Sequence, residues 1–146
     1  MIFRCRILRP QFCGSHIPND GHHRHRISSR LMWKSKAGAW GFIIREHDGT
    51  AVLVGAGNLG PMHDALIAET MACKQALEAA EQFGISQIEL ETDSSQLKDA
   101  LTSSSRDMSI GGGLFTNLRS FLHDSFNCIS VLDIPRSCNS VSARAC

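Results

Sequence analysis

The sequence predicts an α/β domain built on a mixed sheet, and three observations predict it. The first is a hairpin signature. Two runs of β-branched and aromatic residues, "GAWGFIIRE" (38–46) and "AVLVGAGN" (51–58), flank an Asp48-Gly49 turn. The second is a pair of later strand-like runs, "SQIELETD" (86–93) and "CISVLDI" (128–134), each preceded by helical apolar patterning. The third is what that order requires. A hairpin is antiparallel, whereas strands separated by helices need crossovers and lie parallel.

Each element has its own local cause. Asp-Gly favours the positive φ angles of a tight hairpin turn. Gly60-Pro61 breaks the second strand. Asp64 is a helix N-cap, and the helix it opens runs to about Phe83, with Gly84 as the stop. Ile88, Leu90 and Thr92 alternate with Glu89, Glu91 and Asp93, the pattern of a strand with one wet face. Ser94 or Ser95 caps a short helix through about Leu101. "TSSSRDMSIGGG" (102–113) reads as a flexible loop. "LFTNLRSFLHDSF" (114–126) spaces Leu114, Leu118, Phe121, Leu122 and Phe126 as an amphipathic helix does. Pro135 ends the last strand.

At 146 residues and 42% hydrophobic content the chain forms one core. No apolar run is long enough to span a bilayer, so no membrane partner is expected. Charge divides the chain in two near Trp33. Residues 1–34 hold seven Lys or Arg against one acid, Asp20, for a net +6; the remaining eight bases and thirteen acids give 35–146 a net −5. Residues 1–33 therefore read as a basic, disordered arm and 34–146 as the folded domain. An Arg-rich organelle transit peptide is the other reading of the arm, without a marked cleavage site. Cys13-x-x-His16 and His22-x-x-His25 imitate zinc ligand pairs, but the spacer between them is too short to build a finger. Cys73 and Cys128 fall in apolar patterns and read as buried thiols of a reducing compartment.

One acid is out of place. With Glu69 at zero and about 100° per residue, Ala65, Leu66, Ala72, Cys73, Ala76, Leu77, Ala80 and Phe83 fall within about 80° of it. Asp64, Lys74, Glu78 and Glu81 all lie more than about 110° away, on the wet face. A carboxylate on the centre line of a buried stripe costs several kcal/mol unless a cation meets it. An Arg or Lys from another element is one answer. A metal is the other: Asp93, ending a strand beside this helix, and Glu69 can converge on one hard ion, and Mg²⁺ prefers such oxygens.

"GAWGFIIREHDG", "DALIAETMACKQAL", "IELETDSSQLKDAL" and "IPRSCNSV", in this order and spacing, resemble the type-1 ribonuclease H fold. The nearest likeness is to the RNase H-like domain common in plant retroelement-related proteins, over residues 36–141. The resemblance implies a five-stranded sheet of order 3-2-1-4-5 with flanking helices. It also implies four acidic positions binding two Mg²⁺ ions, and hydrolysis of the RNA strand of an RNA–DNA hybrid. Glu69 matches the family's first-helix glutamate and Asp93 the aspartate ending strand 4. Both are thereby expected as metal-binding, catalytic carboxylates.

The match fails at both ends. The region of the family's strand-1 aspartate reads "RISSRLMWKSKA" and has no acid. Asp20-Gly21 imitates the missing dipeptide from too far upstream, so Asp20 is a weak third ligand. "HRISSRLMW" is apolar on one face and basic on the other, which makes a bad central strand. Either it is forced into the sheet, or strands 2 and 4 lack their common neighbour. The fourth acid position, counted from Asn139, is Ala143, and Cys146 comes before the family's final helix is complete. The expected protein is a monomeric, intracellular RNase H-like domain, nuclear or cytoplasmic before organellar, that binds nucleic acid with impaired hydrolysis. The alternatives are a non-catalytic nucleic-acid-binding relic and a truncated product with no ligand.

Overall fold

The structure, a computed structural model, describes residues 4–5, 25–34 and 37–135, with side chains from 39 onward. The elements in chain order are β1 (Arg4–Cys5), β2 (His25–Lys34), β3 (Ala37–Arg45), β4 (Ala51–Pro61), α1 (Ala65–Gln82), β5 (Gln87–Thr92), α2 (Ser95–Thr102), α3 (Gly112–Ser125) and β6 (Cys128–Asp133).

Read across its main pairings, the sheet runs β4-β3-β2-β5-β6. β4, β3 and β2 are successively antiparallel, and β2, β5 and β6 are parallel. Numbering the five long strands in sequence gives the order 3-2-1-4-5. The two-residue β1 is an addition. It pairs parallel with β3 at Arg4↔Ile43 and antiparallel with β5 at Arg4↔Glu91, so it also lies between those strands.

The doubtful central strand is present. β2 pairs with β3 from Ile27↔Ile44 to Lys34↔Ala37, and with β5 at His25↔Ile88 and Arg26↔Glu89. The forced-in alternative therefore holds over the absent strand, and the sheet begins ahead of the charge break near Trp33. The reason is hydrogen bonding. β3 and β5 each present a row of N–H and C=O groups toward this lane, and a poor sequence pattern costs less than leaving them unpaired. Apart from β1, the remainder of the basic arm, with Cys13, His16 and His22, lies outside the described residues, as do 136–146.

The hairpin follows its turn chemistry. Gly49 adopts φ +90°, its N–H donates to the Glu46 carbonyl, and the Thr50 N–H donates to Asp48 Oδ1 at 2.8 Å. That bond holds the Asp48 carboxyl below its ordinary range. Trp40 and Phe42 on β3 stack with centroids 5.7 Å apart. They lie against glycines on β4. Trp40 pairs with Gly57 and Phe42 with Gly55, where a Cβ would come within 2.6 Å and 2.4 Å of the rings.

α1 packs on β2 and β3 and against α2 and α3. Ala72, Ala76, Leu77 and Ala80 of α1 meet Ile88 and Leu90 of β5, Leu97 of α2, and Leu118 and Leu122 of α3 in one buried core. The stripe ends earlier than its periodicity suggests, since Phe83 is 57% exposed. Cys73 is a buried free thiol, and burial pushes its pKa up. Cys128 departs from expectation: it is disulfide-bonded, to a partner outside the described side chains.

Two further expectations change. Glu89 and Glu91 are not on a wet face; both are buried. The segment 102–113 is held rather than flexible. Turns bond Asp107 N–H to the Ser104 carbonyl and Ser109 N–H to that of Arg106. Arg119 of α3 donates to the carbonyls of Ala100 and Ser103 at 2.7 and 2.9 Å, and pairs with the Asp107 carboxylate. Gly112 completes the packing, because a Cβ there would run into the Asp107 backbone.

Candidate functional site

Glu69 lies in α1, and it is the one charged residue among the buried residues of that helix. Its position follows from the cap. Asp64 Oδ1 accepts from the Ile67 N–H at 3.0 Å, which fixes the register that turns residue 69 inward with Ala72, Cys73 and Ala76. Asp93 follows the last residue of β5 and precedes Ser94, whose hydroxyl accepts from the Leu97 N–H to cap α2. It is thus fixed between a strand end and a helix start, at the carboxyl edge of the parallel part of the sheet. Ligands gather at such edges in α/β folds.

The two acids sit on adjoining elements. Leu66, one turn before Glu69, and Gln96, three residues after Asp93, line the same pocket. The central strand adds no carboxylate, since β2 reads HRISSRLMWK. Asp20, Asn139 and Ala143 lie outside the described residues. Among the described residues, no group of three or more His, Cys, Asp or Glu side chains could hold a metal. A two-metal centre places more carboxylates than two around its ions. Glu69 and Asp93 alone do not fit one.

Residues 30–146 match the model of the reverse transcriptase-like family. The chain belongs to that family. As a reverse transcriptase-like domain it carries the RNase H-like fold, and the solved structures agree. RNase H1 from the halophilic archaeon Halobacterium salinarum NRC-1 is 27% identical, with 76% of this chain and 85% of that one covered at a TM-score of 0.61. LC11-RNase H1, solved in complex with an RNA/DNA hybrid, is 16% identical, with 77% and 86% covered and a TM-score of 0.66. The N-terminal RNase H domain of rv2228c from Mycobacterium tuberculosis is 18% identical, with 77% and 83% covered and a TM-score of 0.64. No curated protein matches the chain.

Some of the surroundings of this domain's acids carry no signal in the sequence. His63, Gln96 and Arg106 share a pocket, and they come from three segments. Arg106 stands in a run of serines that reads only as a loop. Among the described residues no helix is long and apolar enough to cross a membrane.

Proposed function

We propose that this chain is a monomeric RNase H-like domain that binds RNA–DNA hybrid and hydrolyses it feebly or not at all. Glu69 and Asp93 are the two carboxylates it keeps of the family's metal centre, and together they hold at most one Mg²⁺. The observation that carries this reading is the central strand. β2 occupies the strand-1 lane beside β5, yet it has no acid to offer. Binding asks only for the surface of the fold, whereas two-metal hydrolysis asks for ligands placed on both ions. An ancestry among plant retroelement-related domains accounts for the four sequence motifs in series.

The test uses an end-labelled RNA–DNA hybrid in Mg²⁺. Saturable binding is expected, with cleavage near the background of protein-free controls. Asp93→Asn should leave hybrid binding intact in EDTA. Robust Mg²⁺-dependent cleavage that Asp93→Asn abolishes would overturn the impaired reading, and absence of hybrid binding would overturn the nucleic-acid reading.

A further inference from the structure

Met108, Ser109 and Ile110 are three consecutive exposed residues on the α2–α3 connection. Ser109 closes a turn. Its N–H and its hydroxyl both donate to the Arg106 carbonyl, at 3.0 and 2.6 Å, and its own carbonyl accepts from the Gly112 N–H at 2.9 Å. These bonds are local to the segment. The Arg119 contacts lie upstream, at Ala100, Ser103 and Asp107. Met108 and Ile110 bury almost nothing, so residues 108–110 can leave the turn without disturbing the core.

The chain around Ser109 reads Arg106-Asp107-Met108-Ser109-Ile110. An arginine three residues before a serine is the charge pattern that one class of protein kinase reads with its own carboxylates. Arg106 suits that reading, because its guanidinium makes no hydrogen bond or ion pair among the described residues. Ile110 offers the enzyme an apolar anchor just after the serine. Of all the serines and threonines in the sequence, only Ser29 and Ser109 follow an arginine at that distance. The fold separates the two. Ser29 lies within β2 and pairs with Phe42 of β3, so drawing it into an enzyme's groove breaks the sheet. Ser109 belongs to no strand.

We infer that Ser109 is a phosphorylation site for an arginine-directed protein kinase, and that its phosphate switches hybrid binding off. In this step the Ser109 Oγ attacks the γ-phosphorus of ATP. An O–P bond forms, the bond from that phosphorus to the β–γ bridging oxygen breaks, ADP leaves, and the hydroxyl proton passes to the kinase's catalytic carboxylate. The product carries a charge of about −2 on the loop at neutral pH. Ser109 shares a pocket with Leu66 of α1, the helix of Glu69, and with Gln96 of α2, the helix that starts just after Asp93. Added negative charge there repels a nucleic-acid backbone. The switch rests on the proposed function, whereas the modification site does not. α3 also gains, because its N-cap, Gly111, has no side chain to cap with, and a phosphate two residues ahead brings negative charge to that helix N-terminus.

The experiment incubates the full chain with Mg²⁺, ATP and a purified kinase selective for arginine three residues before its target, and locates the phosphate by peptide mass spectrometry. One phosphate on Ser109 is expected. Ser109→Ala should lose it, Ser109→Thr should accept it in place, and Ser29→Ala should be modified like wild type. Arg106→Gln should slow incorporation by about tenfold or more, the share of a charge-assisted contact. No phosphate, phosphate chiefly on Ser29 or on Ser103–Ser105, or an undiminished rate in Arg106→Gln would overturn the site. The phosphorylated chain should then bind end-labelled hybrid about tenfold more weakly than the unmodified chain at low salt, with the difference shrinking as salt rises. Equal affinity at low salt would overturn the switch. If the unmodified chain binds no hybrid, the proposed function falls, and the phosphate mapping alone decides the site.

Discussion

Glu69 shows how one side chain links helix periodicity to function. Its burial sets two outcomes apart. If it serves a metal, Mg²⁺ raises the Tm of the wild type and not that of Glu69→Gln. If it instead neutralises a structural cation, the same change strands that cation at a cost of about 3–5 kcal/mol. We expect the first outcome. Thermal unfolding should show a Mg²⁺-dependent rise in Tm for the wild type that is missing in Glu69→Gln, because a ligand stabilises only the state that binds it. A large loss of stability in EDTA would reassign Glu69 to the core. Cys73, one turn along, is the opposite case. Its thiol is neutral because it is buried, and its pKa lies above the ordinary value. The unfolded chain loses this proton from about pH 8.5, so the contribution is complete below that pH and declines as pH rises further.

At the scale of elements, the α2–α3 connection depends on a single contact set. Serines and glycines give it no apolar anchor, and Met108 and Ile110 point outward at 99% and 86% exposure. Arg119 substitutes for that anchor by satisfying the carbonyls of Ala100 and Ser103 and the Asp107 carboxylate. Arg119→Met keeps the aliphatic stem and removes those bonds. It should cost about 2–3 kcal/mol in urea unfolding, the scale of hydrogen bonds to a charged group. It should also raise amide exchange in 103–111 more than in α1. Uniform exchange across the molecule would show that the loop does not depend on Arg119.

For the whole molecule, the sheet reaches across the charge break near Trp33, because β2 pairs with both β3 and β5. Composition breaks near Trp33, and a cut there would look safe. That cut removes β2, leaving the facing edges of β3 and β5 without their shared neighbour. A chain starting at Lys34 should therefore aggregate or lose cooperative unfolding. One starting at His25 should retain a cooperative transition, and it should bind hybrid with a smaller salt slope, because it lacks Arg4, Arg6, Arg9 and Arg24. Circular dichroism melts of the two chains distinguish these cases. Cooperative folding from Lys34 onward would mean that β2 contributes nothing to the sheet.

The sequence by itself determined the elements whose causes are local. The Asp48-Gly49 turn, the Asp64 and Ser94 caps, the periodicity of α1 and α3, and the alternation of β5 each depend on residues a few positions apart. The inward turn of Glu69 was legible for the same reason, whereas the order of the long strands came only through the family resemblance. Tertiary structure alone decided what lies beside what. β2 is a strand despite its pattern because two neighbours need its backbone. Glu89 and Glu91 are buried, although alternation signals only that they share a face. The 102–113 segment is held because Arg119, distant in sequence, reaches Ala100, Ser103 and Asp107. Such facts depend on competition among partners brought together by folding, and neither propensity nor spacing carries that information.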